Sequence, residues 1–217
     1  MPIIGSLAVA SSRGLGGLRT FGIVSTTSYE SIQTANVGSG GEAYVEFSSI
    51  PQNYKHLQIR YVAQDDRTTY GIDQLRMRMG SSNTLDTSST GYVHHFARGT
   101  GAITDSANYQ SSGGDNDSVS INTGLGTTAS TGSWGAGIID ITDYTSTSKI
   151  KVVKYLAGVD LNGDGTGRGG VPGRIVFGTA MWRGTNSLNA VNILRFYPEN
   201  GTKFSQYSRF ALYGLKG

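Results

Sequence analysis

KHLQIRYVAQ, Lys55 to Gln64, decides how the rest of the chain is read. Leu57, Ile59, Tyr61 and Ala63 alternate with His56, Gln58, Arg60 and Gln64. A period of two places successive side chains on opposite faces of a strand, so this run has one buried and one wet face. The rule recurs outward from it. Ala43, Val45 and Phe47 alternate with Tyr44, Glu46 and Ser48, and Val191 with Ile193 and Phe210 with Leu212 keep the same spacing. Candidate strands lie near 29–37, 43–48, 55–64, 72–79, 91–98, 117–122, 136–142, 149–157, 174–183, 188–197 and 206–214, about ten in all with one of these segments surplus. No window repeats at helical spacing over ten residues, and turn-rich stretches such as GSGGE, SSGGDND and PENGT separate the runs. The expectation is an all-β chain, an antiparallel two-sheet β-sandwich of jelly-roll-like type, with an extended N-terminal arm.

Composition agrees. The chain has 217 residues, enough for one well-buried domain or two small ones. Charged residues make up 15% against 37% hydrophobic, with 32 glycines and 12 tyrosines, a balance typical of turn-rich β proteins. The net charge of +3 is mild and its cations are scattered, so nucleic acid is not an expected partner. Cysteine is absent, which removes disulfides, thiolate catalysis and cysteine-ligated zinc.

Two segments read as longer and looser: Ser111 to Gly137, polar with Trp134 as its one large anchor, and Gly158 to Gly173. The second contains DLNGDGTG, in which Asp160, Asn162 and Asp164 alternate as in a calcium loop. Val171 stands where that loop needs a bidentate acid, and a hairpin turn selects the same residues. Gly165, Gly167 and Gly170 satisfy G-x-G-x-x-G, but a strand-like RIVFGTAMW follows instead of a helix, so the match carries no phosphate site. His94 and His95 are adjacent on a strand and face opposite ways, so they form no joint site. Asp65 with Asp66, and Asp140 with Asp143, are candidate carboxylate pairs for glycoside hydrolysis, weighed against turn caps and surface pairs. No catalytic residue, cofactor or metal ligand is assigned. Tyr92, Tyr109, Trp134 and Trp182 are the candidate glycan contacts, since sugars stack on aromatic faces; the competing expectation is that large aromatics fill the core.

MPIIGSLAVASSRGLGGLRTFGIVSTT, Met1 to Thr27, lacks the basic start of an export signal and the roughly 20 apolar residues of a membrane span. Gly14, Gly16 and Gly17 disfavour a helix. An extended arm and a floppy terminus both fit. Ile3, Ile4, Leu7, Leu15 and Leu18, with Arg13 and Arg19, are unusual cargo for a solvated tail. The division expected is an arm over residues 1–28 and a sandwich over 29–217.

FSSIPQNYKHLQIRYVAQ (Phe47 to Gln64), DITDYTSTSKIKVVKYLAG (Asp140 to Gly158) and SLNAVNILRFYPENGTKFSQYSRFALYGLKG (Ser187 to Gly217) together resemble virion structural proteins of tailed bacteriophages, especially cyanophages. The opening MPIIGSLAVASSRGLGG resembles a leader found on phage appendage proteins whose later domains differ. The resemblance implies a non-enzymatic tail-fibre or appendage component, assembled in the host cytoplasm and located on the particle surface. Residues 1–28 would dock it to other virion proteins. Homo-oligomers, with trimers common, and contact with host surface glycans are further implications, with no membrane insertion. A capsid decoration protein is the alternative within that class. A carbohydrate-binding module or glycan hydrolase acting on the host envelope is the alternative outside it.

Overall fold

The computed structural model describes residues 28–100, 104–109, 117–129, 132–161 and 173–217, and the expected arm lies outside them. The strands in chain order are β1 (Tyr29–Asn36), β2 (Val45–Phe47), β3 (His56–Asp65), β4 (Ile72–Ser81), β5 (Thr84–Leu85), β6 (Tyr92–Thr100) and β7 (Thr104–Tyr109). They continue with β8 (Val119–Thr127), β9 (Gly135–Thr142), β10 (Val152–Asp160), β11 (Gly173–Trp182), β12 (Ile193–Pro198) and β13 (Arg209–Leu215). The described residues contain no helix.

The strands form two sheets. The long sheet runs β1-β13-β3-β9-β10-β11-β6-β7, antiparallel at every step. The short sheet runs β2-β12-β4-β8, with β5 against β4. They join at one corner, where the end of β3 leaves the long sheet and pairs in parallel with β8 at Gln64 to Gly126 and Asp65 to Thr127. This is the two-sheet sandwich expected from the alternation.

Between the sheets lies the core. In β3 the alternation holds: Leu57, Ile59, Tyr61 and Ala63 are buried. Gln58 faces outward and is covered on that face by its neighbours: its Nε2 donates to Oδ1 of Asp140 at 2.8 Å and its Oε1 accepts from Arg60 Nε at 2.7 Å. Phe196 of the short sheet and Phe210 of the long sheet meet with ring centroids 5.4 Å apart. Tyr61 stacks on Phe210 at 5.6 Å, and Phe204 adds a further ring at 5.0 Å. Aromatic rings of this kind fill the gap of about 10 Å between packed sheets.

Each of the eleven expected segments contains a strand, so none is surplus. Two short strands, β5 and β7, were not expected. Of the segment near 188–197, only Ile193 onward pairs, and Leu188 is exposed on the preceding loop. The loose reading of Ser111 to Gly137 is corrected: β8 occupies its middle, with Val119, Ile121 and Leu125 fully buried against the long sheet, and β9 begins before its end. The strand expected near 117–122 runs on to Thr127, where Leu125 between two glycines is the one further apolar anchor.

Candidate assembly surface

The outer face of the long sheet carries what most monomers bury. Registers across five strands align its outward residues in rows. One row runs Arg60, Ile138, Leu156, Phe177 and Ala97; the next runs Val62, Ala136, Gly158, Ile175 and Gly99. Ile175 and Phe177 are 57% and 56% exposed, Val62 and Leu156 48%, Ile138 41%. An antiparallel sheet with one solvated face ordinarily shows polar residues there. The next row toward Thr142 does so, with Gln58, Asp140, Lys154, Thr179 and His95 in register. The apolar rows therefore form a band with a polar border, the pattern of an interaction surface.

A second feature lies at one open end of the sandwich. A cavity of about 250 Å³ is lined by Arg67, Tyr70, Asp73, Arg98, Asn122 and Arg174 among others, between β4 and β8 on one side and β6 and β11 on the other. Asp73 is saturated there: it accepts hydrogen bonds from the Asn200 amide at 2.8 Å, the Gly201 amide at 3.0 Å, Asn200 Nδ2 at 2.7 Å and Arg67 at 3.1 Å. Burial pushes its carboxyl up, but these bonds and one from Asp65 outweigh burial and hold it below the usual range. Asp65 is moved the other way, to about 8, by burial and by the neighbouring Asp73. The pair pins the loop after β12 to the ends of β3 and β4.

The candidate residues fall as follows. Tyr92 and Trp182 are fully buried, so neither offers a ring face to a sugar. The Tyr92 hydroxyl lies 2.8 Å from the Met79 amide and 3.1 Å from its carbonyl, and Trp182 Nε1 donates to Asp86 at 2.6 Å. The first ties β4, and the second the loop after β5, to the long sheet. Trp134 is half-buried just before β9. The backbone of Tyr109 ends β7, and its side chain lies outside what is described, as do Ile3, Ile4, Leu7, Arg13, Leu15, Leu18 and Arg19. Asn162, Asp164, Gly165, Gly167, Gly170 and Val171 also lie outside the described residues, while Asp160 stands exposed at the end of β10.

The carboxylate pairs separate into structural roles. Asp66 caps the loop at Thr202 and Lys203 through two amides at 2.7 and 3.2 Å. Asp143 sits at φ +47° in the turn after β9, held by Lys55 at 2.9 Å and Lys149 at 3.1 Å. Hydrogen bonds from those two lysines bring its carboxyl down to about 2. His94 is buried and His95 exposed, as adjacent strand residues must be, and His56 Nδ1 accepts the Asp143 amide at 3.0 Å. The apolar band was missed in the sequence. Its signal was Ile138, Leu156, Ile175 and Phe177, apolar residues at the positions that alternation assigns to solvent.

No family model and no curated protein matches the chain. Among solved structures, a fructofuranosidase of Schwanniomyces occidentalis bound to fructosylnystose aligns at 5% identity over 90% of this chain, with a TM-score of 0.22. The infectious bursal disease virus VP2 subviral particle aligns at 13% identity over 86%, with a TM-score of 0.13. The chain spans 35% and 40% of those two chains.

Proposed function

We propose that this chain is a non-enzymatic structural protein of a phage virion, a tail-fibre or appendage component docked through residues 1–28. The sandwich beyond that arm is the part that projects and contacts its neighbours. The observation that carries the reading is the apolar band on the long sheet: Val62, Ile138, Leu156, Ile175 and Phe177 form a surface suited to being covered in an assembly. The sequence resemblance to virion proteins supplies the kind of assembly. Of the carboxylates named as catalytic candidates, Asp66 and Asp143 are spent on a loop and a turn and Asp65 is fully buried, which favours a structural role over hydrolysis.

Removing residues 1–28 tests the docking. The shortened chain is expected to fold and to be missing from assembled particles; normal incorporation overturns the arm's role. A label at the C-terminus separates the readings within the class, since a signal on the head instead of the tail means capsid decoration. Host glycan contact is tested by Trp134→Ala, the one described candidate with a partly open ring. Release of reducing sugar from host polysaccharide would replace the structural reading altogether.

A further inference from the structure

We propose that the apolar band is covered by the same band of a second copy, with the two long sheets packed face to face about a two-fold axis that runs across the strands at β10. The proposal rests on reading that face as an assembly surface and does not depend on the virion assignment. A sheet face has its backbone hydrogen bonds already made, so the occupant that suits it is another such face. An isolated extended peptide laid on it would bring its own unsatisfied amides and carbonyls.

On four of the five strands the two rows of the band are complementary to each other, while on β3 Arg60, whose guanidinium lies against the Tyr29 and Tyr213 rings, comes over the partner's Val62. A two-fold axis across the strands turns each strand onto its own counterpart, reversed in direction. Leu156 then lies over the partner's Gly158, Ile138 over the partner's Ala136, and Ala97 over the partner's Gly99. On three strands, therefore, the larger side chain of one row meets the smaller residue of the other. On β11 Phe177 meets the partner's Ile175, an aromatic against a branched aliphatic, the most exposed pair of the band. Charge follows the same operation. Lys154 and Asp160 stand exposed on β10, outside the two ends of the apolar stretch. Reversal sets Lys154 against the partner's Asp160 and Asp160 against the partner's Lys154. A two-fold axis running along β10 would instead set Lys154 against Lys154, so the charge pattern selects the first arrangement about this strand.

The face is smaller in projection than an ordinary interface. Five strands at about 4.8 Å spacing and six residues of strand at about 3.4 Å each give a face of roughly 500 Å² in projection. Side-chain relief brings this toward the ~800 Å² per partner of an ordinary stable interface.

The full chain is examined by sedimentation across a wide concentration range, with far-UV circular dichroism as the check on folding. The mass of two chains is expected. Leu156→Asp and Phe177→Asp, each at a position exposed in the single chain, are expected to give the mass of one chain with an unchanged spectrum. Lys154→Asp alone and Asp160→Lys alone are expected to weaken pairing at least tenfold, and the two together to restore it. Pairing that survives Phe177→Asp, a three-chain particle, or a single chain at every concentration overturns the proposal, as does a charge exchange that fails to rescue. A single chain whose incorporation into particles is abolished by Phe177→Asp would remove the second copy and leave the assembly reading standing. A pair whose incorporation is indifferent to these changes would do the reverse.

Discussion

Asp65 is a carboxyl placed where a charge is hard to sustain. It is fully buried, its Oδ2 receives no hydrogen bond, and that oxygen would lie 2.7 Å from a Cβ added to Gly201. Burial first, and then the carboxylate of Asp73 beside it, favour the protonated form and raise its titration to about 8. A carboxyl raised in the folded state contributes stability that is complete below its unfolded value near 4 and is lost as pH climbs through 8. His94 acts in the opposite sense. Burial first, then Arg76 and His95, lower it to about 4, so the fold gains stability as pH rises from there to the unfolded value near 6.5. Below 6.5 the two oppose each other; from 6.5 to 8 only Asp65 slopes, by up to about 1.4 kcal/mol per pH unit. Urea midpoints are expected to fall between pH 6.5 and 8 in the natural chain and to stay level in Asp65→Asn, whose amide is neutral throughout. Lys151 is the second such residue. It is fully buried, and its ammonium donates to the carbonyls of Ser146, Lys149 and Ser187, joining the loop after β9 to the one before β12. Lys151→Met strands three acceptors and is expected to cost about 3 kcal/mol in denaturant titration.

Between neighbouring strands the determinant is which small residue faces which large one. Tyr155 of β10 is in register with Gly178 of β11, and its ring lies across that glycine while its hydroxyl reaches the Ser120 carbonyl of β8 at 3.1 Å. One side chain thus links the two sheets through a gap that any Cβ at position 178 would close. Gly178→Ala is expected to cost about 2 kcal/mol by displacing the ring. Tyr155→Phe, which keeps the ring and loses only the hydrogen bond, should cost about 1 kcal/mol. A reversed order of those two losses would mean that the hydroxyl, not the fit, holds β10 to β8. Such pairings also explain what the sequence could disclose. Strands β3, β10 and β13 were legible because their inward positions are large and apolar and their outward ones mostly polar. β8 was legible only as far as residue 122 of Val119–Thr127, since beyond Ile121 its core side is shared between Leu125 and closely approached glycines. The apolar band was hidden for a related reason. Ile138 and Leu156 each stand as a single outward apolar residue in their own strand, and they add up to a band only when β9 and β10 are placed side by side, a property of the sheet order. Asp73 escaped notice likewise, because its partners Asn200 and Gly201 are distant in the chain.

At the scale of the molecule, the two ends of the sandwich are unequal. Among the described residues β1 lies at the border of the long sheet, paired with β13, and it brings Ile32 and Ala35 as partly buried additions to the core. β13 lies between β1 and β3 and delivers Phe210 and Leu212, both fully buried, with Phe210 in ring contact with Tyr61, Phe196 and Phe204. The buried apolar residues of the described structure run from Val37 to Leu212. A chain beginning at residue 29 therefore retains that core and β1 to β13, while a chain ending at residue 208 loses an internal strand and the ring that bridges the sheets. Loss of Phe210 and Leu212 alone removes burial of several kcal/mol by the usual cost of large side chains, a large part of a typical domain's stability of about 5–15 kcal/mol. Residues 29–217 are expected to unfold cooperatively at the same urea concentration as the full chain, measured by tyrosine and tryptophan fluorescence. Residues 1–208 are expected to show no cooperative transition. A marked loss of stability on removing residues 1–28 would mean that the arm packs on its own sandwich, and its role as a docking segment for another protein would have to be abandoned.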